Sequence, residues 1–343
     1  MIDPNILKEN PEVLEENIKR RNLGISIDSL NKLDKKRRKS RFDADEIRAQ
    51  QKKLSKEIPS LEDGEKDKAL EKATLLSNKV KEMALEADTA EEKFMELWVT
   101  IPNLIDPTSP YGNSEEDNKE LKIVGKVPKI LNPKTHLELG EELGIIDVEQ
   151  AARVSGSRFS YLLGDAVLIE FNLVNWVINL LNEKGFTPVV PPVLVREDAL
   201  FGTGFFPDDS EQVYSIPNDD LYLVGTSEVS LAAYHGESVL NVEDLPKRYA
   251  GFSTCFRREA GSYGKDVRGL NRLHQFDKVE IVQIQHPEKS YETLDNMVSH
   301  VASILDDLEL PYRILQLCGG DLGFTSALTF DFEVYSAGQD KWL

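Results

Sequence analysis

The sequence is poor in cysteine, in basic charge overall and in long apolar runs, and each shortage excludes a class of protein. Two cysteines among 343 residues, Cys255 and Cys318, are too few for a disulfide framework, which suits a reducing cytoplasm. No apolar run approaches the roughly 18 residues that cross a bilayer, so we expect no membrane association. The first residues, Met1 to Pro4, lack the basic and apolar pattern of a signal peptide. We therefore expect a cytoplasmic protein.

The overall charge is strongly acidic, yet positive charge is concentrated in one segment. The formal net charge is −19, from 41 Lys and Arg against 60 Asp and Glu. Between residues 32 and 56, however, 11 Lys and Arg stand among four acids, which gives a local net charge of +7. An acidic protein repels nucleic acid unless its cations are clustered. The cluster fits a solvated helix face or a surface for a polyanion, and charge alone favours the solvated face.

Residues from about 28 to 100 carry two heptad patterns that are separated by a break at Pro59 and Gly64. Apolar positions recur at steps of three and four in each half, which is typical of helices that pack along one seam. Two such stripes joined by a turn predict an antiparallel hairpin, and ~30 helical residues would project roughly 45 Å. The polar residues at seam positions are Arg37, Ser40 and Gln51. We expect a slender, fairly flexible arm; an oligomerising coiled coil is the alternative, which the break disfavours.

Beyond about residue 110 the pattern changes to shorter helices and strands. Helices are predicted at Asp165–Lys184, Ser227–His235 and Ser290–Leu308. Strands are predicted at Phe186–Val190, Leu221–Val224, Tyr249–Glu259, Phe276–Ile284 and Thr329–Tyr335. Few helices lie where they could connect parallel strands, so we expect an α+β fold with a largely antiparallel sheet flanked by helices. The predicted domains are 1–110, which contains the arm, and 111–343.

One predicted strand–loop–strand segment carries most of the chemically informative residues. Period two places Arg257 and Glu259 on one face of its first strand, and Phe276, Lys278 and Glu280 on one face of its second. A guanidinium can bind phosphate through two parallel hydrogen bonds, a ring can stack on a base, and a carboxylate can accept from an exocyclic amine. These groups would make a nucleotide site without a Gly-rich phosphate loop. A solvent-exposed hairpin with cross-strand salt bridges is the alternative.

The motifs in this segment resemble the second signature motif of class II aminoacyl-tRNA synthetases. The matching residues are Phe256-Arg257-x-Glu259, Gly269-Leu270-x-Arg272 and Gln275-Phe276. The neighbouring Ala260-Gly261-Ser262, Asp266-Val267-Arg268-Gly269 and Gly225-Thr226-Ser227-Glu228 are similar to those of the seryl-tRNA synthetase family of the common bacterial type. That family also has an N-terminal antiparallel coiled-coil arm, so the resemblance covers the whole chain. The helix leading into Phe186–Pro192 is similar to the first class II motif, which implies a homodimer through the helix–strand segment ending at Pro191.

The resemblance implies that the chain activates L-serine with ATP to seryl-adenylate and transfers serine to the 3′ end of tRNA(Ser), with tRNA(Sec) a further possible acceptor. ATP and Mg²⁺ are expected, and zinc is not, because the chain does not resemble the rarer zinc-using form. The serine carboxylate and the ATP α-phosphate must meet in line, so cations that offset their repulsion are required and a nucleophilic side chain is not. The implied arm contacts favour RNA shape and backbone over sequence.

The resemblance also implies roles for individual residues. The expected serine-binding residues are Thr226, Ser227, Glu228, Arg257 and Glu280. The expected ATP-binding residues are Arg257 at the α-phosphate, Arg258, Glu259 at the adenine amino group, Arg272 at the terminal phosphates, the backbone at Leu273, and Phe276 stacked on adenine. The expected tRNA-binding residues are Lys35, Lys36, Arg37, Arg38, Lys39 and Arg41, together with the loop Gly261–Arg272. Alternatively, Thr226 caps the following helix and Glu280 forms a surface ion pair.

The sequence departs from the family at its end, where the third class II motif is missing. Strand Thr329–Tyr335 is followed by a turn, and the returning strand stops at Leu343. We therefore interpret the chain as truncated, with the metal ligand and the arginine that covers adenine expected beyond Leu343, and we expect poor or absent activity. Two other functions compete: an amino acid ligase that charges a carrier protein, and an inactive RNA-binding homologue. The arm counts against the first and the intact site residues against the second.

Overall fold

The computed structural model describes residues 2–207, 210–260 and 269–343, which form two compact units. Unit 1 comprises residues 1–117 with 318–328, and unit 2 comprises residues 118–317 with 329–343. Most of the predicted loop Gly261–Arg272, including Lys265 and Arg268, lies outside the described residues. The predicted α+β class is confirmed.

Unit 1 is built from two short helices followed by two long ones. The helices are α1 (Ile6–Glu9), α2 (Pro11–Arg20), α3 (Ile27–Glu57) and α4 (Asp63–Trp98). Helices α3 and α4 pack against each other as the predicted hairpin. The residues predicted for the seam are all buried or half-buried, because the apolar steps of three and four keep them on one helix face. A short 3₁₀ turn at Ile58–Ser60 separates the helices, whereas Gly64 belongs to the first turn of α4 rather than to the break.

The base of the hairpin carries the core of unit 1. Leu14, Leu30, Phe94 and Trp98 are almost completely buried there. The rings of Phe94 and Trp98 stack with their centroids 5.3 Å apart, and the Trp98 indole N–H donates to the Ile2 carbonyl at 2.9 Å. Burial of side chains of this size contributes roughly 1.5–3 kcal/mol each, so the arm is anchored at its base by apolar packing.

Unit 2 contains twelve short or medium strands and six helices among its described residues. The helices are α5 (His136–Glu142), α6 (Val148–Ser155), α7 (Asp165–Glu183), α8 (Glu197–Gly202), α9 (Glu228–Ala232) and α10 (Ser290–Asp307). The first seven strands are β1 (Lys119–Val124), β2 (Ile146–Asp147), β3 (Tyr161–Leu162), β4 (Thr187–Val189), β5 (Leu194–Val195), β6 (Tyr214–Ile216) and β7 (Leu221–Leu223). The others are β8 (Lys247–Phe256), β9 (Gln275–Ile284), β10 (Tyr312–Gln316), β11 (Phe330–Ser336) and β12 (Lys341–Trp342).

The sheets of unit 2 are almost entirely antiparallel. Their strand orders are β1-β10-β11-β12, β4-β8-β9, β5-β7-β6 and β2-β3. Strand β4 pairs in parallel with β8, an exception that the sequence did not predict. Helix α7 connects β3 to β4 and packs against β4 and β8, so Leu181 and Phe186 are buried together with Ala250. Among the described residues, no helix combines the length and apolarity needed to span a bilayer.

Helix α7 ends at Glu183, within one residue of its predicted end. Gly185 has a φ of +84°, a left-handed conformation in which a side chain is disfavoured. The Phe186 N–H then donates to the Leu181 carbonyl at 3.0 Å, and the Gly185 N–H to the Asn182 carbonyl at 3.0 Å. This Schellman-type ending satisfies carbonyls that the helix leaves free. It also turns the chain directly into β4.

One predicted strand ends early, and one strand was not predicted. Strand β8 ends at Phe256, so the predicted extension to Glu259 does not form; Glu259 lies beyond the strand with a φ of +49°. Strand β10 was missed because four of its five residues are buried, which removes the apolar–polar alternation that identifies a strand. The predicted helix Ser227–His235 divides into α9 and a 3₁₀ turn at Ala233–His235.

Candidate active site

The β8–β9 hairpin brings the predicted site residues onto one face of its sheet. Gly251 stands opposite Glu280, Ser253 opposite Lys278, and Cys255 opposite Phe276. Directly opposed residues in an antiparallel pair project to the same side of the sheet. This face therefore carries a ring, a cation and a carboxylate at successive positions of β9, as period two predicts.

Gly251 allows helix α9 to approach this face closely. A Cβ atom at this position would lie 2.7 Å from Leu231 Cδ1 and 3.1 Å from Ser227 Oγ, so a larger residue would force the helix away. Ser227 and Leu231 are both buried. The close approach places the start of α9 directly over Glu280.

Glu280 is the centre of a compact hydrogen-bond network. Its Oε2 accepts from Thr226 Oγ1 at 2.5 Å, from Ser227 Oγ at 2.9 Å and from the Glu228 N–H at 2.9 Å. Its Oε1 accepts from Lys278 Nζ at 3.1 Å, and Lys278 also donates to Thr226 Oγ1 at 2.6 Å. The Glu228 N–H lies 3.2 Å from Thr226 Oγ1, so Thr226 contributes to the helix start as well. Both carboxylate oxygens of Glu280 therefore accept hydrogen bonds.

The network separates the acidities of its two carboxylates. Burial raises the pKa of Glu280, but Lys278 and the hydrogen bonds from Thr226 and Ser227 outweigh it, so this pKa lies below its usual value. Burial and then the negative charge of Glu280 raise the pKa of Glu228. Glu280 is thus stabilised as an anion, whereas the positive charges of Lys278 and Arg257 offset the rise in the pKa of Glu228 only in part.

A cavity of about 620 Å³ opens beside this network. Five of the six residues predicted to bind ATP line it, namely Arg257, Glu259, Arg272, Leu273 and Phe276. Further lining residues are Phe205, Gln212, Val213, Gly225, Ala260, Leu270 and Asn271. Its volume falls within the range of ~300–1,000 Å³ that is usual for ligand sites. Gly225 lines the cavity and directly precedes Thr226, so the cavity lies next to the Glu280 network.

Glu259 and Arg272 form one wall of the cavity. Arg272 Nη1 lies 2.7 Å from Glu259 Oε2, and the Glu259 side chain is 13% exposed. The backbone carbonyl of Glu259 accepts from Arg158 Nη1 at 3.2 Å. Glu259 therefore reaches the cavity from a residue with a positive φ beyond the end of β8, and not through strand alternation.

Arg257 and Arg258 have different surroundings although they are adjacent in sequence. Arg257 Nε donates to the Gly225 carbonyl at 3.1 Å, and its guanidinium carbon lies 5.3 Å from the centre of the Phe276 ring. The guanidinium of Arg258 instead lies 6.0 Å from the centre of the Tyr214 ring. Arg257 thus faces the cavity, while the Arg258 side chain packs against β6.

Gln212 is a site residue that the sequence analysis did not identify. Its carbonyl accepts from the Arg258 N–H at 2.9 Å, and its side chain both accepts from the Ala260 N–H at 3.0 Å and donates to the Ala260 carbonyl at 3.1 Å. These bonds hold the chain on both sides of Glu259. They involve main-chain atoms of residues distant in sequence, so local sequence carries no signal for them.

The predicted tRNA-binding residues of the arm fall into two groups, arginines that lie near acidic side chains and lysines that are exposed. Arg37 lies in the seam, with its guanidinium carbon 4.4 Å from the centre of the Phe94 ring and ion pairs to Asp34 at 2.8 Å and Glu91 at 3.2 Å. Arg38 pairs with Asp34 at 2.5 Å, and Arg41 lies 3.7 Å from Asp88. The lysines of the predicted set are all exposed: Lys35, Lys36 and Lys39.

Comparison with known proteins finds matches to both halves of the chain. The family model described as the seryl-tRNA synthetase N-terminal domain matches residues 1–105, and the model of the tRNA synthetase class II core domain (G, H, P, S and T) matches residues 212–343. A relative from Streptomyces avermitilis, serine–tRNA ligase 1, is 44% identical over this whole chain and 81% of its own length. The serine–tRNA ligase of Dictyoglomus turgidum is 41% identical, with 82% of its length covered.

Solved structures show the same likeness in three dimensions. The crystal structure of seryl-tRNA synthetase from Pyrococcus horikoshii complexed with ATP superposes with a TM-score of 0.93 at 33% identity, over the whole of this chain and 82% of that one. The cytoplasmic serine–tRNA ligase from Naegleria fowleri in complex with AMP gives a TM-score of 0.87 at 28% identity, over 98% of this chain and 80% of that one. Both solved proteins carry an adenine nucleotide.

Proposed function

Because the chain belongs to the seryl-tRNA synthetase family, we propose that it activates L-serine with ATP and transfers the seryl group to tRNA(Ser). One observation supports the proposal most directly: the cavity lined by Arg257, Glu259, Arg272 and Phe276 adjoins the Glu280 network. A site for a nucleotide and a site for a small polar amino acid are thus neighbours. Their junction is Gly225, beside Arg257.

We propose that ATP occupies the cavity. Phe276 offers a ring for adenine, and Glu259 offers a carboxylate that can accept from the exocyclic amine. Arg257 would bind the α-phosphate, and Arg272 would bind the terminal phosphates after exchanging its bond to Glu259 for phosphate oxygens. The backbone at Leu273 lies in the same lining. We propose that Arg258 contributes to ATP binding through its main chain, since its side chain packs against Tyr214.

Serine would bind where Glu228 and Glu280 meet. The pKa of Glu228 is raised by burial and then by Glu280, and the positive charges of Lys278 and Arg257 offset this rise only in part. A serine ammonium would add positive charge beside Glu228 and Glu280, and the serine hydroxyl would be recognised by the same polar cluster. Thr226 and Ser227 are 2% and 0% exposed, so we propose that they position Glu280 rather than enclose the substrate.

The reaction we propose has two steps. A serine carboxylate oxygen attacks the α-phosphorus, a new P–O bond forms and pyrophosphate leaves, which yields seryl-adenylate. The terminal ribose hydroxyl of the tRNA then attacks the seryl carbonyl carbon; an ester bond forms with loss of the hydroxyl proton, the bond from that carbon to the phosphate oxygen breaks, and AMP leaves. Arg257 offsets the repulsion between the two anions of the first step and the charge of its transition state.

Mg²⁺ enters this proposal only as the ion that accompanies ATP. Among the described residues, no group of three or more His, Cys, Asp and Glu side chains is arranged to hold a metal ion. We therefore assign no described residue to Mg²⁺.

We propose that the tRNA lies along the arm and that two copies of the chain associate in the cytoplasm. The exposed Lys35, Lys36 and Lys39 on α3 suit phosphate contacts. For the dimer, helix α7 carries three large apolar side chains within about one turn, each roughly 60% exposed: Leu168, Ile169 and Phe171. Val190, just before Pro191, is 83% exposed. Apolar surface of this kind marks an interaction site.

Pyrophosphate exchange and aminoacylation test the proposal together. In a protein that carries this chain together with the third class II motif, we expect ATP–pyrophosphate exchange that depends on serine and not on alanine, glycine or threonine, because a site that hydrogen-bonds a hydroxyl rejects alanine strongly. Transfer to tRNA(Ser) then separates this function from that of a carrier-protein ligase. Changing Lys35, Lys36 and Lys39 to Gln should weaken tRNA binding and leave exchange unchanged. Equal loss of both would contradict the assignment of tRNA to the arm.

A further inference from the structure

His136 forms a hydrogen bond that connects helix α5 to the wall of the cavity. Its Nε2 accepts from the Leu270 N–H at 2.8 Å. Leu270 is followed by Asn271, Arg272 and Leu273, and all four line the cavity. Since Nε2 accepts, the ring proton is on Nδ1 and the imidazole is neutral. The bond therefore fixes the backbone that leads directly to Arg272.

Gly269 shows how closely His136 approaches this backbone. A Cβ atom at residue 269 would lie 2.0 Å from Nε2 of His136. Gly269 also has a φ of +74°, which disfavours any other residue. The contact is thus possible because residue 269 has no side chain.

Helix α5 holds His136 in a fixed place. Thr135 caps the helix: its Oγ1 accepts from the Glu138 N–H at 3.3 Å, and Glu138 Oε2 accepts from the Thr135 N–H at 2.7 Å. This capping box fixes the first turn, in which His136 is the first residue. Later in the helix, a Cβ at Gly140 would lie 2.4 Å from Ile146 Cδ1, so α5 packs tightly against β2.

A second contact holds the same wall from another side. Asn271 Nδ2 donates to Gln339 Oε1 at 3.1 Å. Gln339 follows Gly338, where a Cβ atom would lie 2.2 Å from the Lys134 carbonyl oxygen. The segment before α5, the turn after β11 and the wall thus contact one another in a ring.

We propose that His136 is a positioning residue for ATP, which acts by fixing the Leu270 backbone so that Arg272 faces the cavity beside Glu259. This inference rests on the proposed function, because it takes ATP to be the ligand of the cavity. Without the bond, the four-residue wall would lose its link to α5 and would keep, among the contacts described, those of Asn271 with Gln339 and of Arg272 with Glu259. Nucleotide affinity would fall, while the serine network around Glu280 would keep its contacts.

Two substitutions at His136 separate the acceptor from the volume of the ring. His136→Leu removes the acceptor at similar size, and His136→Gln keeps an acceptor oxygen of similar reach. For the Leu variant we expect the Kd for ATP, measured by calorimetry, to rise about tenfold, which corresponds to ~1.4 kcal/mol. We expect His136→Gln to stay within about threefold of the unchanged chain, well short of the tenfold loss. Serine affinity and the serine KM in pyrophosphate exchange should not change.

His286 provides a matched control. Its Nδ1 accepts from the Glu288 N–H at 3.4 Å, so it also uses an imidazole nitrogen to hold a main-chain N–H, but in the turn before α10. His286→Leu should leave ATP affinity unchanged. An equal loss in the His286 and His136 variants, or parallel losses of ATP and serine affinity in His136→Leu, would overturn the proposal. If the unchanged chain bound serine but no ATP, the proposed function would fail first, and the two failures are thereby distinguished.

Discussion

Replacing Glu280 with Ala should destabilise unit 2 and abolish serine binding. The substitution removes the acceptor of three donors, Thr226 Oγ1, Ser227 Oγ and the Glu228 N–H, and the ion-pair partner of Lys278. At about 1 kcal/mol for each of these three hydrogen bonds lost, the loss is ~3 kcal/mol. The cost of breaking a buried ion pair by removing one partner, ~3–5 kcal/mol, gives a similar value. Because the Glu280 side chain is 17% exposed, we take the lower figure.

Thermal unfolding followed by circular dichroism measures this loss. A domain of this size loses about 2–4 °C per kcal/mol, so the midpoint of Glu280→Ala should fall by about 6–12 °C at pH 7. The control is Asp277→Ala on the same strand, where an exposed carboxylate accepts one bond from Thr254 Oγ1 at 2.7 Å. That variant should change stability by less than about 1 kcal/mol. A fall in Glu280→Ala no larger than in Asp277→Ala would refute the reasoning.

The pH dependence of the same comparison provides a second check. Folding lowers the pKa of Glu280, so its carboxylate stabilises the fold above the ordinary glutamate pKa of about 4.3. The contribution is lost as the pH falls further through the folded-state pKa. The difference in thermal midpoint between the unchanged chain and Glu280→Ala should therefore be largest at pH 7 and should become smaller as the pH falls below the ordinary glutamate pKa of about 4.3. A difference independent of pH would indicate that the charge of Glu280 is unimportant.

Three further predictions use the site and the arm. Phe276→Leu should weaken ATP binding by about 1 kcal/mol, roughly fivefold, because a ring that stacks on adenine is lost; unchanged affinity in a calorimetric titration would contradict this. Glu228→Gln should raise the thermal midpoint at pH 7 and lower serine affinity. Burial and Glu280 raise the pKa of Glu228, so its negative charge destabilises the fold at neutral pH. A lower midpoint in the variant would contradict this prediction. Lys39→Gln should lower the slope of log K against log salt for tRNA binding by nearly the value of one phosphate contact, without loss of stability. Arg37→Gln should chiefly destabilise the arm, because Arg37 pairs with Asp34 in the seam. Salt titrations and unfolding curves measure the two effects.

Elements with one strong period could be predicted from the sequence. The hairpin α3–α4, helix α7 and strand β9 each match their predicted bounds within a few residues, because each presents one apolar face to a core. Strand β10 is buried on both sides, so alternation could not identify it. Strand β8 was predicted too long because its pattern continues beyond Phe256, where pairing with β9 ends in fact.

The site was predictable as a set of residue types but not as a geometry. Family resemblance identified Arg257, Glu259, Arg272 and Phe276, and the cavity brings them together. It could not show that Glu259 has a positive φ beyond the end of β8, where the side chains of Arg158 and Gln212 bond to the main chain of Glu259 and Ala260. Residues that act through main-chain atoms of distant segments leave no local pattern in the sequence.

The arm shows why a charge count overstates a nucleic-acid surface. Helix α3 carries 11 Lys and Arg against six acids, yet Arg37 is taken into the seam and Arg38 is paired with Asp34. Helix α4 carries six lysines against ten acids, so its exposed side repels phosphate. The two helices run side by side, which leaves a cationic stripe on α3 next to an acidic one on α4. A polyanion is therefore attracted to one helix of the hairpin and repelled from the other, and it is this asymmetry, more than the total charge, that would orient an RNA along the arm.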